Sequence, residues 1–180
     1  MEQLLEATDG RIYATNAKGV YRYDGSTWTP VFLSPENHTF NFTAIRELSD
    51  QSIIVGSNWG FLHFLPGDDL RMYSSEKRIV ALRKSFPEAT TFALPPAALS
   101  GDGQFVEATD ILQLKSGEIW LALTTEPETG KILSTSHLTT ASGIAPDFTT
   151  VQVEDELLGE DLRLFQASDD RIWVVNSTIQ

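Results

Sequence analysis

The sequence contains no cysteine, which excludes disulfides, thiolate catalysis and Cys-based zinc sites. Basic residues are also scarce: 13 Lys and Arg stand against 25 Asp and Glu, a formal charge of -12. Such a surface repels phosphate, so a general nucleic-acid or anionic-membrane role is disfavoured. Long apolar runs are missing too, since nowhere do about 18 apolar residues follow one another. Met1 is followed by Glu2 and Gln3 rather than by a basic patch and an apolar stretch. Neither membrane insertion nor an export signal is therefore expected in the chain as written. If the chain is a piece of a longer protein, this says nothing about where the parent resides.

The usual catalytic signatures are equally lacking. There is no His-x-x-x-His, no Gly-x-Ser-x-Gly, no phosphate-cradling glycine loop and no calcium-type Asp-x-Asp-x-Asp-Gly run. The three histidines, His38, His63 and His137, are isolated from one another in sequence, so neither a metal site nor a cofactor is expected. Paired carboxylates occur at Asp68-Asp69, Glu154-Asp155-Glu156, Glu160-Asp161 and Asp169-Asp170. They fall where turns are expected and read as solvated turn residues. A glycosidase-like acid/base pair would need partners from different parts of the chain.

What is present is a chain of 180 residues, 41% hydrophobic, enough for one ordinary domain, and a repeat. "TDGRIYATNAKGVYRYDG" (8 to 25) aligns with "SDQSIIVGSNWGFLHFLPG" (49 to 67), placing Gly19 on Gly60 at an offset of 41 residues. A third copy reads "ILQLKSGEIWLALTTEPETGKILSTS" (111 to 136), and a fourth begins at "LRLFQASDDRIWVVNST" (162 to 178). Tyr13, Ile54, Trp120 and Trp173 occupy one position of the repeat. Each copy begins with an alternating apolar strand, turns at an Asp-Gly, Asp-Gln, Ser-Gly or Asp-Asp pair, and continues into a run such as "IIVG" or "IWLAL" that reads as a buried strand. "GVYRY" and "GFLHF" supply a third strand, and "TWTPV" (27 to 31) and "FTTV" (148 to 151) supply outer ones. Trp28 is expected to begin an outer strand that packs under the next blade. Four short strands in about 40 to 45 residues is the period of a propeller blade.

With Gly19-Val20-Tyr21-Arg22-Tyr23-Asp24, Gly117-Glu118-Ile119-Trp120 and Asp170-Arg171-Ile172-Trp173, the chain resembles the two-component regulator propeller repeat, the β-propeller sensor domain of hybrid two-component systems. "YDGSTW" and "ETGKIL" also resemble the Asp-box of sialidases and the Thr-Gly-Lys turn of quinoprotein propellers, both structural turns. The expected fold is all-β: about three and a half four-stranded antiparallel blades, a partial propeller or a segment of a larger one. The single propeller segment spans 1–180, with blades at about 3–31, 42–73 and 106–153, an incomplete one at 161–180, and an insertion at 74–105. Closed propellers have about four to eight blades. Either the chain belongs to a longer propeller or it completes its ring as a homo-oligomer.

The insertion does not fit the period. In "SSEKRIVALRKSF", Ser75 is a candidate N-cap, and Ile79, Leu82 and Phe86 share one helical face. "RIVAL" reads equally well as a strand. Five of the thirteen basic residues lie between Arg71 and Lys84. Lys77, Arg78, Arg83 and Lys84 are candidate partner-binding residues for an acidic protein or a neighbouring domain; the plainer reading is an amphipathic insertion paired with the acidic body. "FALPPAALSGDG" (92 to 103) reads as a return loop.

In a propeller the loops leaving the second strand and the outer strand share one face. Here they are 14–19, 56–60, 124–130, the connector 30–42 and 154–161. Trp59, in a Gly-flanked loop, can stack on a sugar or anchor a peptide, or can simply pack on a neighbouring blade. Asn58, His38, Phe40 and Arg46 are its expected neighbours in a ligand-binding site. The family resemblance implies a non-enzymatic module that binds a carbohydrate or other small ligand, or a protein, outside the cytoplasmic membrane. A periplasmic or extracellular location follows if the chain is part of a longer sensor, and a cytoplasmic one otherwise. Two other readings stay open: a carbohydrate-active propeller enzyme, for which Arg46, Arg163, Glu47 and Glu6 are few resources, and a scaffold without a small-molecule site.

Overall fold

The structure is a computed structural model that describes residues 3–67, 69–96, 99, 106–125, 129–135, 147–152 and 162–176. Its strands form four separate sheets. The first orders β1 (Leu4–Glu6), β2 (Ile12–Asn16), β3 (Gly19–Tyr23) and β4 (Trp28–Leu33) as a simple antiparallel meander. The second begins the same way with β5 (Phe42–Glu47), β6 (Ile53–Ser57), β7 (Gly60–Phe64) and β8 (Leu70–Ser74). The third comprises β10 (Val106–Gln113), β11 (Ile119–Thr125), β12 (Thr129–Thr135) and β13 (Thr149–Val151). The fourth pairs β14 (Leu162–Gln166) with β15 (Ile172–Asn176).

One register runs through all four sheets. Glu6, Glu47, Gln113 and Gln166 each end a first strand and each pair with an isoleucine that starts the second: Ile12, Ile53, Ile119 and Ile172. The turn between is the same object four times. Asp9, Asp50 and Asp169 accept the backbone N–H two residues on through a carboxylate oxygen, and Ser116 does so through its hydroxyl. The residue after each has positive φ: Gly10, Gln51, Gly117 and Asp170. Short polar side chains that bond their own backbone, followed by a left-handed residue, are what such a turn requires.

The sheets stack face to face, and each gap holds its own core. Tyr13, Val20 and Phe32 of the first sheet meet Ile45, Ile53, Val55 and Leu62 of the second. Ile54, Phe61 and Tyr73, from the opposite face of that second sheet, meet Ile111, Leu121 and Leu133 of the third. Ala122 and Ile132 then meet Leu162 and Leu164 of the fourth, with Trp120 packed against them. Alternation along each strand sends successive residues to opposite neighbours, which is why β6 is buried along its whole length. These are consecutive blades of a β-propeller.

Between the second and third blades the chain forms α1 (Glu76–Ser85) and then a fifth strand, β9 (Thr90–Ala93), parallel to β8. The strand reading of "RIVAL" gives way to the helix. Ile79 and Leu82 are buried and Phe86 packs beside them, its ring stacked on Phe32 of the first blade at 4.9 Å. Ser75 has the extended backbone of an N-cap, yet its side chain makes no capping bond. Antiparallel outer strands need only a turn, whereas a parallel fifth strand needs a crossover; the helix supplies it, and its buried face joins the core between the first two blades. The return loop read at 92–103 thus starts inside a strand at Phe92 and Ala93. Trp28 also departs from expectation. It is 49% exposed and rests on Tyr23 at 5.2 Å, across the strand pair on the side away from the second blade.

Candidate functional site

On the loop face, Ser57 and Gly60 pair across a two-residue hairpin whose tip is Asn58-Trp59. The connector before β5 is bonded to that tip. Asn58 N–H donates to the Asn41 carbonyl (3.1 Å), the Asn41 N–H donates to Asn58 Oδ1 (2.9 Å), and Asn58 Nδ2 donates to the Thr39 carbonyl (3.2 Å). Trp59 Nε1 donates to the same Thr39 carbonyl at 3.0 Å. Phe40 stacks near-parallel to the indole at 5.6 Å, His38 lies tilted at 4.6 Å, and the Arg78 guanidinium sits 4.7 Å from the ring centroid. Arg78 also donates to the Asn58 carbonyl. The half-buried indole is therefore the point where blade, connector and helix α1 are joined.

Four of the five sequence-chosen ligand residues, Trp59, Asn58, His38 and Phe40, are thus brought together, but Phe40 is fully buried and supports the indole from within rather than facing a ligand. Arg46 is not with them. It pairs with Ile54, three residues from the hairpin end of β6 and so about 10 Å along the strand, and it bonds Asp110 at 3.2 Å. Of the basic residues chosen on the insertion, Arg78 joins the cluster and Arg83 Nε donates to Thr91 Oγ1 (2.8 Å). Lys77 and Lys84 lie on the exposed side of α1 with Val80, itself 56% exposed.

The inner strands hold a polar chain that sequence reading missed. Asp110, 2% exposed, accepts from the Ile111 N–H (2.9 Å) and the Leu164 N–H (2.9 Å) as well as from Arg46. Arg163 donates to the Thr109 carbonyl at 2.9 Å. Thr43 donates to the Ala108 carbonyl and Thr109 to the Leu162 carbonyl, each hydroxyl sitting at a bulge in its innermost strand. The signal for Asp110 was an acid inside the apolar run "ATDIL": a charge retained in a buried strand needs such partners. Every inner-strand arginine considered for catalysis is occupied in joining one blade to the next.

A cavity of about 260 Å³ opens on the opposite, turn-bearing face, between the first two blades. Asp9, Arg11, Glu47 and Gln51 ring it over an apolar floor that includes Tyr13, Ile53 and Phe64. Arg11 is held by Asp9 at 3.4 Å, and Glu47 is bonded to Thr8. No sequence pattern marks this cavity, because it exists only where two blades meet.

The remaining sites behave as turn and core elements. Asp24 of "YDGSTW" accepts from the Thr27 N–H, the Ser26 hydroxyl and the Ser26 N–H, and these bonds hold its carboxyl well below the usual carboxylate range. His63 is fully buried, its Nε2 is 2.8 Å from Ser52 Oγ, and burial lowers its pKa to about 4. Burial likewise pushes the Tyr73 hydroxyl up to about 12. Asp169 is held ionised by Arg171. His137, Asp68 and the acids of 154–161 lie outside the described residues. Among the described residues no three His, Asp or Glu side chains gather as a metal site, and no helix is long and apolar enough to cross a membrane.

No family model matches the sequence, and no curated protein does. Among solved structures, the chain is similar to the extracellular domain of BT4673 from B. thetaiotaomicron, described as a one component system, with a TM-score of 0.59 and 10% identity over 96% of this chain. The extracellular domain of BT3049, described as a hybrid two component system of the same organism, aligns over 96% of the chain at 14% identity and a TM-score of 0.42. The chain spans 20% and 24% of the lengths of those two structures. The likeness to the first of these is one of fold: an all-β set of consecutive propeller blades.

Proposed function

We propose that the chain is part of a non-enzymatic β-propeller that binds a ligand on its loop face, as the sensing region of a signalling protein. The observation that carries this is the likeness of nearly the whole chain to the extracellular domain of a one component system. By that analogy the module works in the periplasm or outside the cell, and carbohydrate is the first ligand class to test. Trp59 and His38, backed by the fully buried Phe40 and bordered by Asn58, offer an aromatic platform suited to a sugar ring or a peptide side chain. The exposed side of α1, with Lys77, Val80 and Lys84, serves as the docking side for an acidic protein partner.

Binding to an immobilised glycan panel, with product analysis on the same panel, tests the reading. Wild type should bind without turnover. Trp59→Ala and His38→Ala should weaken binding about tenfold or more, the loss expected of an aromatic anchor, while Lys77→Glu leaves it unchanged. Undiminished binding in folded Trp59→Ala and His38→Ala proteins, or turnover of any glycan, would overturn it.

A further inference from the structure

Glu47, the last residue of β5, accepts the Thr8 backbone N–H (2.8 Å) and hydroxyl (2.7 Å) from the first blade. The later blades make the same contact with a neutral side chain. Gln113, ending β10, accepts the Ser49 N–H (2.7 Å) and donates to the Ser49 hydroxyl (3.0 Å), and Gln166, ending β14, accepts the Lys115 N–H (2.9 Å). Joining one blade to the next therefore needs an amide oxygen and no charge. The Glu47 carboxylate is a surplus anion at the rim of the turn-face cavity, and among the described residues no cation pairs with it.

Three more residues of that cavity carry unused polar groups. Arg11 is tied to Asp9 only through its side-chain Nε at 3.4 Å, so Nη1 and Nη2 remain as a planar fork of donors. The Gln51 side-chain amide bonds nothing among the described residues, although its backbone is held at φ 67° where the same turn uses Gly10 and Gly117 in the first and third blades. A strained backbone kept for a side chain that the fold does not use points to a use outside the fold. Tyr13 is 7% exposed, and its hydroxyl also has no partner among the described residues. Beneath these groups Ile53 and Phe64 complete an apolar floor.

We propose that this cavity binds a free α-amino acid with an apolar side chain. The ligand ammonium meets Glu47, its carboxylate meets the Arg11 fork and the Gln51 amide, and its side chain lies on Ile53, Phe64 and the Tyr13 ring. Two carboxylates against one guanidinium leave the rim net negative, which disfavours a bare anion, while the unpaired guanidinium nitrogens disfavour a bare cation; a zwitterion answers both. Both charged groups and the floor share about 260 Å³, just under the range of about 300 to 1,000 Å³ for drug-sized ligands. Ammonium, carboxylate and apolar group must therefore spring from adjacent atoms, as they do in an α-amino acid. The site lies on the face opposite Trp59 and is independent of the proposed loop-face ligand.

Isothermal titration calorimetry of the chain with L-phenylalanine and L-leucine tests it, each amino acid against its N-acetyl derivative and against the amine that lacks the carboxylate. Wild type should bind at least one of the two saturably and one to one, and the altered forms about tenfold or more weaker, the loss of one charge-assisted bond. Glu47→Gln keeps the contact to Thr8, as Gln113 does to Ser49, and should weaken binding by the same factor. Arg11→Gln, at a half-exposed side chain, should do likewise, and Gln51→Gly should weaken binding severalfold. Trp59→Ala should leave it unchanged, which separates this site from the loop-face one. Absence of saturable binding by both amino acids, equal affinity for the N-acetyl derivatives, undiminished affinity in folded Glu47→Gln or Arg11→Gln protein, or a loss in Trp59→Ala as large as in Glu47→Gln would overturn the proposal.

Discussion

Gly60 lies so close beneath the carbonyl oxygen of Tyr73 that a Cβ on it would overlap that atom, and Gly19 lies the same way beneath the carbonyl oxygen of Phe32. Both glycines open a third strand and both meet the end of a fourth. The repeat offset of 41 residues read from the sequence is therefore the spacing of one physical contact, a strand start that must pass against its neighbour's backbone.

Gly60→Ala should consequently destabilise the chain by about 2 to 4 kcal/mol, combining a positive φ with a backbone overlap. Urea denaturation of wild type and variant checks this. Gly67→Ala is the control, since its φ is also positive but a Cβ there meets nothing within 4 Å; its loss should be the smaller.

The first-turn position with positive φ carries glycine in two blades but Gln51 in the second, at φ 67°. Left-handed backbone costs an ordinary residue about 1 to 2 kcal/mol, partly offset by the extra chain entropy glycine loses on folding. Gln51→Gly should stabilise the chain by about 0.5 to 1 kcal/mol, read as a higher urea midpoint with an unchanged slope. A lower midpoint would mean that the Gln51 side chain does more at the rim of the cavity than its backbone costs.

The buried His63 makes stability depend on acidity. Its pKa is lowered from 6.5 to about 4, so the unfolded chain takes up a proton that the folded chain refuses. Above about pH 6.5 both states are neutral at this site and no stability is lost. As pH falls from there towards 4, stability should drop by about 3 kcal/mol in total. Denaturation at pH 7.5 and pH 5 should show part of that fall in wild type and a flatter response in His63→Gln; equal slopes would place the acid sensitivity elsewhere.

Much of this fold was legible in the sequence because a propeller repeats the same local problem. Glu6, Glu47, Gln113 and Gln166 each precede the same kind of turn, and the turn residues are chosen by backbone geometry that one sequence displays openly. Over the insertion the sequence left helix and strand open, and the structure takes the helical spacing of Ile79 and Leu82. The strand at Thr90–Ala93 did not, because it is four residues long, opens with two threonines and is defined by a parallel partner 19 residues away, Arg71 to Thr90. Trp59 was recognised as a special residue of the loop face, yet its contacts with Phe40 and Arg78 depend on where the helix packs. Asp110 and the turn-face cavity come from blade-to-blade packing, which no single repeat reveals.

The account as a whole depends on four sheets stacked as consecutive blades and joined by one recurring hydrogen bond. Amide solvent exchange measured by NMR at the turn residues Thr8, Ser49, Lys115 and Ser168 reads that bond directly. The first three N–H groups are held by Glu47, Gln113 and Gln166. They should exchange more slowly than Ser168, whose N–H meets no acceptor among the described residues, by about tenfold or more for a bond worth about 1.5 kcal/mol. Equal exchange at all four positions would contradict the stacked arrangement.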